Sequence, residues 1–311
     1  VATSENSIQE SIAQIYIQIL YAAESVRVNE NTLQVSIAQR DRGQELLNAG
    51  SIAKSDLAQL EAQVSTDRYQ LVTAQATLED YKLQLKQLLE LDGENEMNIY
   101  LPALSDENVL APLPTKRDVY ISALSLRPEI EASKLNVEAS ELGINIAKSS
   151  YFPTISLSAG IGTNHTSGSD FTFGEQVKNG WNNSIGVSVS VPIFNNRQTK
   201  SAVQKAKLQR ETSLLSLLDE QKTLYKTIEG LWLDANSAQQ RYAAANEKLK
   251  STQISYELIS EQFNLGMKNT VELLTEKNNL LQAQQEQLQA KYMAILNTQL
   301  LKFYQGDQLA L

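Results

Sequence analysis

One long stretch without helix breakers constrains this chain more than any other feature. Residues 197–265 contain no proline and a single glycine, Gly230. Mostly apolar side chains recur there at alternating steps of four and three residues, which is the heptad pattern of a helix packed along its length on another helix. These residues are Ala238, Tyr242, Ala245, Leu249, Thr252, Tyr256, Ile259 and Phe263. An uninterrupted helix over this stretch would be about 100 Å long at 1.5 Å per residue, so the sequence predicts a mainly α protein with extended helices.

The same design occurs twice along the chain. Gly50 and Gly266 each follow one heptad segment and precede a second, returning one. The offset of 216 residues between these glycines superposes further pairs: Leu33 and Leu249, Glu45 and Glu261, Asn48 and Asn264, Asp56 and Glu272, and Leu57 and Leu273. The sequence therefore predicts a tandem repeat of a long antiparallel helical hairpin. Since the first repeat lacks a counterpart of residues 129–216, we expect an N-terminally incomplete piece of a longer protein.

The segment after Gly266 carries two apolar stripes. One consists of Val271, Leu274, Leu281, Leu288, Tyr292 and Ile295. The other consists of Leu273, Leu280, Ala283, Ala290, Ala294 and Leu301. A helix in a simple hairpin needs only one such stripe. Two stripes predict a helix with a neighbour on each side, as in a ring of helices.

Two short segments alternate apolar and small polar residues with the period of two that β-strands show. Their apolar positions, which we expect to face lipid, are Ile155, Leu157, Ala159 and Ile161 in the first segment and Ile185, Val187, Val189 and Val191 in the second. Serine or glycine fills nearly every position between them, and aromatic residues flank both segments. This pattern is typical of strands in a membrane barrel, although a soluble hairpin with one face on a core would alternate too. Two strands cannot close a barrel, and the four per chain expected with the hairpin of the missing repeat are still fewer than the roughly eight of the smallest membrane barrels, so closure would require several chains.

Composition argues against several classes of function. The chain has no cysteine, one histidine and a formal net charge of −9. Disulfides and thiolate metal sites are therefore excluded, and nucleic acid is not expected as a partner because phosphate binding needs a basic surface. We predict no catalytic, cofactor-binding or metal-binding residues and no enzymatic activity.

Three local patterns follow one another in a specific order. A helix begins at the sequence Arg-Pro-Glu of residues 127–129, an aromatic pair and a proline precede the first strand at residues 151–153, and each turn glycine is followed, after five residues, by an acidic residue and leucine. In this order the patterns resemble the TolC-type outer-membrane efflux proteins, and the resemblance covers essentially the whole chain. It implies a homotrimer in the outer membrane of a Gram-negative bacterium, with a membrane β-barrel and a periplasmic α-barrel of helical hairpins.

The resemblance also implies a division of the chain. Residues 1–93 would form the first helical hairpin of the periplasmic tunnel, 94–126 an irregular equatorial segment, 127–150 a helix leading to the membrane, 151–194 the membrane β-hairpin with an external loop at 164–183, 195–305 the second helical hairpin, and 306–311 a tail. The implied function is a passive exit duct of a tripartite efflux or type I secretion system.

Partners follow from the same resemblance. They would be outer-membrane lipid, a periplasmic adaptor (membrane fusion) protein and an inner-membrane transporter of the RND or ABC type. No cofactor is implied. A soluble coiled-coil scaffold or tethering protein remains the alternative, because its heptads would be similar; it does not account for the two strands.

The resemblance places the functional residues at the hairpin turns. The turns at Gly50 and Gly266 would dock the adaptor. Contacts that close the entrance would involve Asp56, Lys268 and Phe263, and the pore constriction would involve Glu272 and Thr275. Phe263 replaces the family's tyrosine, and Thr275 replaces a second acidic residue. Alternatively, the two acids cap the helices that follow the turns, where the helix dipole stabilises negative charge.

Overall fold

The computed structural model of the chain describes residues 1–91, 99–100, 102 and 109–309. The helices and strands within this part are α1 (Ala2–Asn48), α2 (Lys54–Leu88), α3 (Lys116–Leu126), α4 (Pro128–Ser149), β1 (Thr154–Gly162), α5 (Phe173–Asn179), β2 (Asn182–Ser190), α6 (Gln198–Asn264) and α7 (Thr270–Gln305). The mainly helical fold confirms the heptad prediction. None of these described helices has the length and apolarity that a membrane span requires.

The chain divides into two compact units. The first, the helical unit, comprises residues 1–128 and 221–311, and the second, the strand unit, comprises residues 129–220. The helical unit contains α1, α2, α3, α7 and the C-terminal part of α6. The strand unit contains most of α4, the two strands, α5 and the beginning of α6.

The two turns of the helical unit have the same backbone geometry. Gly50 and Gly266 have φ values of 72° and 75°. In each turn the glycine amide donates to the carbonyl three residues earlier, and the next amide donates to the carbonyl five residues before it. This is the Schellman ending of a helix, which requires the left-handed conformation that glycine adopts without strain. The same pair of bonds recurs at Glu90 and Gly306, the ends of α2 and α7, so the predicted repeat is present in the backbone with its offset of 216 residues.

Helix α7 packs on two neighbours, as its two stripes predict. One face joins α1 in a cluster of Ile17, Leu20, Leu288, Tyr292, Leu296 and Leu300. Another face contributes Ala290 and Ala294 to a cluster with Val109, Ala238 and Tyr242. Nearer the turn only one stripe is buried, since Leu273 is fully buried whereas Val271 is exposed. Helix α7 is therefore held between α1 and α6, and the stripe that begins at Val271 loses its cover toward the turn.

The prediction of an irregular segment over residues 94–126 is wrong for its last part. Residues 116–126 form α3, where the hydroxyl of Thr115 accepts a hydrogen bond from the amide of Asp118 at 3.3 Å. Val119 and Ala123, one turn apart, are fully buried. Prolines at 112 and 114 favour an irregular chain only up to this point, because the cap at Thr115 and the amphipathic spacing that follows it form a short helix. Within the same segment, residues 94–98, 101 and 103–108 lie outside the described residues.

Strands β1 and β2 pair antiparallel in the register that their alternation predicts. Leu157 lies opposite Val187, and Ser158 lies opposite Gly186. Apolar residues thus share one face of the hairpin, and serines and glycines share the other. Every strand residue except Gly162 is exposed. No part of the described chain covers either face, in contrast to a soluble hairpin that packs on its own core.

The ends of the strand pair differ slightly from the prediction. Val191, expected as a lipid-facing strand residue, lies one position beyond β2. Its partner in register would be Pro153, which has no amide hydrogen to donate, so pairing stops at Thr154 and Ser190. The expected external loop at 164–183 is shortened by β2 and contains the short helix α5.

Candidate functional site at the hairpin turns

The two acidic residues predicted at the turns both cap helices. A carboxylate oxygen of Asp56 accepts from the amide of Ala53 at 3.0 Å, at the start of α2. At the start of α7, a carboxylate oxygen of Glu272 accepts from the amide of Asn269 at 3.2 Å, and the Asn269 side chain accepts from the Glu272 amide at 2.9 Å. The second arrangement is a reciprocal capping box. The capping alternative is thus confirmed for both residues, and a role in the pore would be additional to it.

Lys268 contacts a different partner from the one expected. Its ammonium lies 2.5 Å from a carboxylate oxygen of Glu272. The expected partner was Asp56. Glu272 is only four residues further along the chain. Pairing with it therefore costs little conformational entropy, because little additional backbone has to be ordered. The hydrogen bond from Lys268, followed by that from the Asn269 amide, lowers the pKa of Glu272 below its ordinary value of 4.5. Glu272 therefore stays ionised at neutral pH.

The other predicted residues have distinct surroundings. Phe263 is buried and packs with Leu60 of α2 and Leu273 of α7. Thr275 is exposed, and its hydroxyl donates to the carbonyl of Val271 at 2.8 Å. Gly50 and Gly266 are exposed at the turns. The structure thus joins Lys268 to Glu272 and packs Phe263 between two helices, but it does not join Asp56 to Lys268.

A buried ion pair, which the apolar heptad pattern does not predict, lies further along the helices from these turns. The ammonium of Lys277 in α7 donates to a carboxylate oxygen of Asp67 in α2 and to the hydroxyl of Ser36 in α1. The Ser36 hydroxyl donates to the same oxygen of Asp67, and Gln63 donates to the other one at 2.8 Å. The side chains of Lys277 and Asp67 are only 4% and 1% exposed. We call Ser36, Asp67 and Lys277 the buried triad.

Burial of the charged groups of the triad carries a desolvation penalty. Loss of water lowers the pKa of Lys277 from its ordinary value of 10.5, while the hydrogen bond and charge of Asp67 act in the opposite direction. A buried pair of this kind adds little net stability over an apolar pair, but removing one partner leaves the other charge unpaired and is strongly destabilising. The triad therefore depends on all its members being present together.

A sequence signal for the triad did exist. Asp67 lies three residues after Val64 and four before Leu71, and is thus at a seam position of the heptad. Lys277 occupies the same kind of position between Leu273 and Leu280. The apolar members of the pattern alone do not reveal these two charged positions. Polar residues at seam positions commonly specify register in helical bundles, so the spacing of Asp67 and Lys277 is itself the signal.

Two further polar contacts connect the helices close to the triad. Gln39 of α1 donates to the hydroxyl of Tyr256 in α6 at 2.8 Å, and Ser255 of α6 donates to Glu276 of α7 at 3.0 Å. Burial raises the pKa of the Tyr256 hydroxyl, so it remains neutral. Together with the triad, these bonds connect α1, α2, α6 and α7.

Arg127, at the junction of α3 and α4, has a larger role than the helix start expected from sequence. Its guanidinium lies 3.6 Å from the ring centroid of Tyr304 and 2.6 Å from a carboxylate oxygen of Glu10. Its side chain is 6% exposed. Stacking and pairing of a desolvated arginine stabilise the packing of α1 against the end of α7.

The polar groups offer no metal-binding cluster in the part of the chain that the structure describes. The single histidine, His165, has Nδ1 3.0 Å from the Gln176 side-chain oxygen, and its ring stacks edge-on with Phe173 at 5.2 Å. These contacts order the segment between the strands. The predicted site at the turns therefore consists of charged side chains held at the helix ends, such as Lys268 and Glu272.

The chain is similar to known channel proteins in sequence and in structure. Residues 119–306 match the sequence model of a family described as outer membrane efflux protein. The chain is 24% identical over 294 residues to the outer membrane efflux protein BepC of Brucella suis biovar 1 (strain 1330), covering 94% of this chain and 61% of that protein. It is 23% identical over 304 residues to the outer membrane protein TolC of Escherichia coli (strain K12), covering 95% and 60%. The chain thus spans about three fifths of the length of these curated relatives.

The fold has solved counterparts as well. The structure matches that of CusC, from a study of folding and transmembrane channel formation, with a TM-score of 0.82 at 18% identity, covering 99% of this chain and 70% of that one. It matches the CmeC outer membrane channel of Campylobacter jejuni with a TM-score of 0.77 at 19% identity, covering 100% and 65%. At these identities the likeness concerns the fold, which combines long helical hairpins with a strand pair.

Proposed function

The chain belongs to the outer membrane efflux protein family, and from this we propose that it contributes to a passive exit duct across the outer membrane and periplasm. Substrates would enter from an inner-membrane transporter of the RND or ABC type through a periplasmic adaptor. The relatives BepC and TolC are themselves outer membrane proteins. The cargo would be that of an efflux or type I secretion system.

The observation that carries this proposal is the strand pair with two uncovered faces. Apolar residues such as Leu157 and Val187 line one face, and serines and glycines line the other. Both strand edges also lack a neighbour within the described chain. Unpaired edges in lipid leave backbone groups without hydrogen bonds, so the pair requires further strands on both sides. A homotrimer of the full-length protein that closes a barrel, with its apolar face on lipid and its serine face on the lumen, would meet this requirement.

A soluble scaffold is the second candidate, and it accounts less well for the strand unit. A scaffold would expose an apolar strand face to water without compensation. The deciding experiment is extraction of the full-length protein from membranes. The duct predicts detergent-dependent solubility and a trimer band that is lost on heating, whereas a freely soluble monomer would support the scaffold.

We propose that the turns form the periplasmic entrance and dock the adaptor at Gly50 and Gly266. Lys268 already has a partner in Glu272, so a bond to Asp56 would compete with that pair. A contact between the two turns would therefore be weak and exchangeable. Such a contact suits an entrance that opens when the adaptor binds.

Replacing Asp56 and Lys268 together by alanine is expected to raise the single-channel conductance of the complete protein. The reason is that the proposed contact between the two turns would then be unable to form. Planar-bilayer recording measures the effect. Lys250→Ala, which removes an exposed lysine paired with Glu247 away from the turns, serves as the control and should leave conductance unchanged. Equal conductance in the double variant and the parent protein would remove the closing role of this contact.

Glu272→Gln is expected to weaken the block of the channel by multivalent cations. Glutamine keeps the size of the side chain but removes the charges that a ring of Glu272 carboxylates would present. In the parent protein the block should be present at neutral pH, where Lys268 helps to keep Glu272 ionised, and should vanish as acid protonates the Glu272 carboxylates. The matched control is Glu247→Gln, on an exposed surface of α6. Unchanged block in Glu272→Gln would restrict this residue to its capping role.

A further inference from the structure

The apolar packing near the turns does not by itself define how the two hairpins align. The turn at Gly266 fixes α7 against α6, but no covalent link nearby fixes either helix against the first hairpin. Leucines in α7 are spaced by one heptad, as Leu273 and Leu280 are, and so are Leu274, Leu281 and Leu288. A slip of one heptad, about 10 Å at 1.5 Å per residue, would again set leucines on the seam. Since apolar contacts are not directional, such a slip is weakly opposed by them.

The buried triad distinguishes these alignments. Seven residues before and after Lys277 stand Thr270 and Gln284, and seven residues before and after Asp67 stand Leu60 and Ala74. Only one alignment therefore brings the ammonium to the carboxylate. In any other, an unpaired charge would lie against leucine or alanine, which is strongly unfavourable. Of the ion pairs between described residues, this is the one with both side chains almost fully buried.

The triad also contacts both helices of the first hairpin. Ser36 comes from α1 and Asp67 from α2, and each is bonded to Lys277 of α7. A displacement of α7 along either helix would break at least one of these bonds. The offset of 216 residues pairs Asp67 with Ala283, so the second repeat carries no second copy of the carboxylate. Among the described residues the triad therefore occurs once, and it acts between the hairpins.

We propose that the buried triad sets the axial register of the second hairpin against the first, and thereby positions Glu272 at the entrance. Glu272 precedes Lys277 by five residues on the same helix, so fixing Lys277 fixes the height of the Glu272 carboxylate. The link to the entrance rests on the proposed function. The register role itself depends only on the packing within the helical unit.

The test compares two double variants that leave no buried charge unpaired. Asp67→Leu with Lys277→Met replaces the pair by apolar side chains, which preserves packing but removes the ion pair that selects one alignment. Asp67→Lys with Lys277→Asp exchanges the two charges and keeps an ion pair between the same positions. The chain has no cysteine, so Ser51→Cys and Met267→Cys, both exposed at the turns, add two spin labels. Pulsed electron paramagnetic resonance then measures the distance between the turns, with labelled chains diluted in unlabelled ones.

We expect a narrow distance distribution in the parent protein and in the charge-reversed variant. We expect at least a twofold broader distribution, or a second distance, in the apolar variant. Equal widths in the parent and the apolar variant, with thermal stability retained, would overturn the proposal. If the charge-reversed variant does not fold, Lys277→Arg takes its place, since arginine keeps the charge and should keep a narrow distribution.

Block of the channel by multivalent cations tests whether the register set by the triad affects the entrance. Block should weaken in the apolar variant although Glu272 is intact, and it should persist in the charge-reversed one. A broadened distance with unchanged block would support the register role and count against Glu272 as the pore constriction. The failure of the register proposal and that of the proposed function are thus separate results.

Discussion

Asp67→Ala is expected to lower the free energy of unfolding by about 3–5 kcal/mol, because Lys277 would remain buried without its partner. Ser36 and Gln63 would lose their acceptor at the same time. Denaturant unfolding of the detergent-solubilised protein, followed by far-ultraviolet circular dichroism, measures the change. Asp80→Ala is the matched control on the same helix, since Asp80 is exposed and accepts only a bond from Gln84 among the side chains described. Its cost should stay within about 0.5 kcal/mol.

The pH dependence of this variant gives an independent check. Without Asp67, its hydrogen bond and charge no longer oppose the burial that lowers the pKa of Lys277 from 10.5. Between the folded-state pKa and 10.5 the unfolded chain binds more protons than the folded chain, so stability rises with pH. The deficit of Asp67→Ala should therefore shrink as the pH is raised toward 10.5. A deficit that stays constant over this range would show that the loss does not come from an unpaired Lys277.

Val187→Arg is expected to cost about 2–4 kcal/mol of stability in the membrane, because a cation on the lipid-facing side of a barrel strand is most costly at the bilayer midplane. Val187 is near the middle of β2, opposite Leu157. Its neighbour Ser188 points to the other face, so Ser188→Arg is the matched control and should cost little. The measurement is unfolding from lipid vesicles, together with the fraction of chain recovered as outer-membrane trimer. If both substitutions were equally costly, the apolar face would not be the one on lipid.

Patterns of repeated, local chemistry predict most of this fold. The heptads predict the long helices, and the two stripes of α7 predict its two neighbours. The alternation around Leu157 and Val187 predicts the strand register. Glycines at 50 and 266 predict the turns because the backbone there requires the left-handed conformation. These features follow from residue type and spacing alone, so they do not depend on which distant segments meet in the fold.

Features that depend on competition between partners were harder to predict. Lys268 had two possible carboxylates, and chain proximity favours Glu272 over Asp56. Asp67 and Lys277 are ordinary charged residues in sequence, and their burial arises only when three helices meet. The prolines before helix α3 favour an irregular segment, whereas the cap residue Thr115 indicates the start of a helix. In each case the deciding contact joins groups whose proximity the pattern alone does not reveal.

The uncovered faces of the strand pair imply an order of assembly. An isolated two-stranded hairpin is marginal in water, and this one gains no burial from the described chain. The helical unit, by contrast, has apolar clusters of its own. In the proposed trimer, the helices would therefore fold within single chains and the hairpin would mature only when chains meet in lipid. Membrane insertion and subunit recruitment would then be one event, which would keep unassembled chains from opening a hole in the membrane.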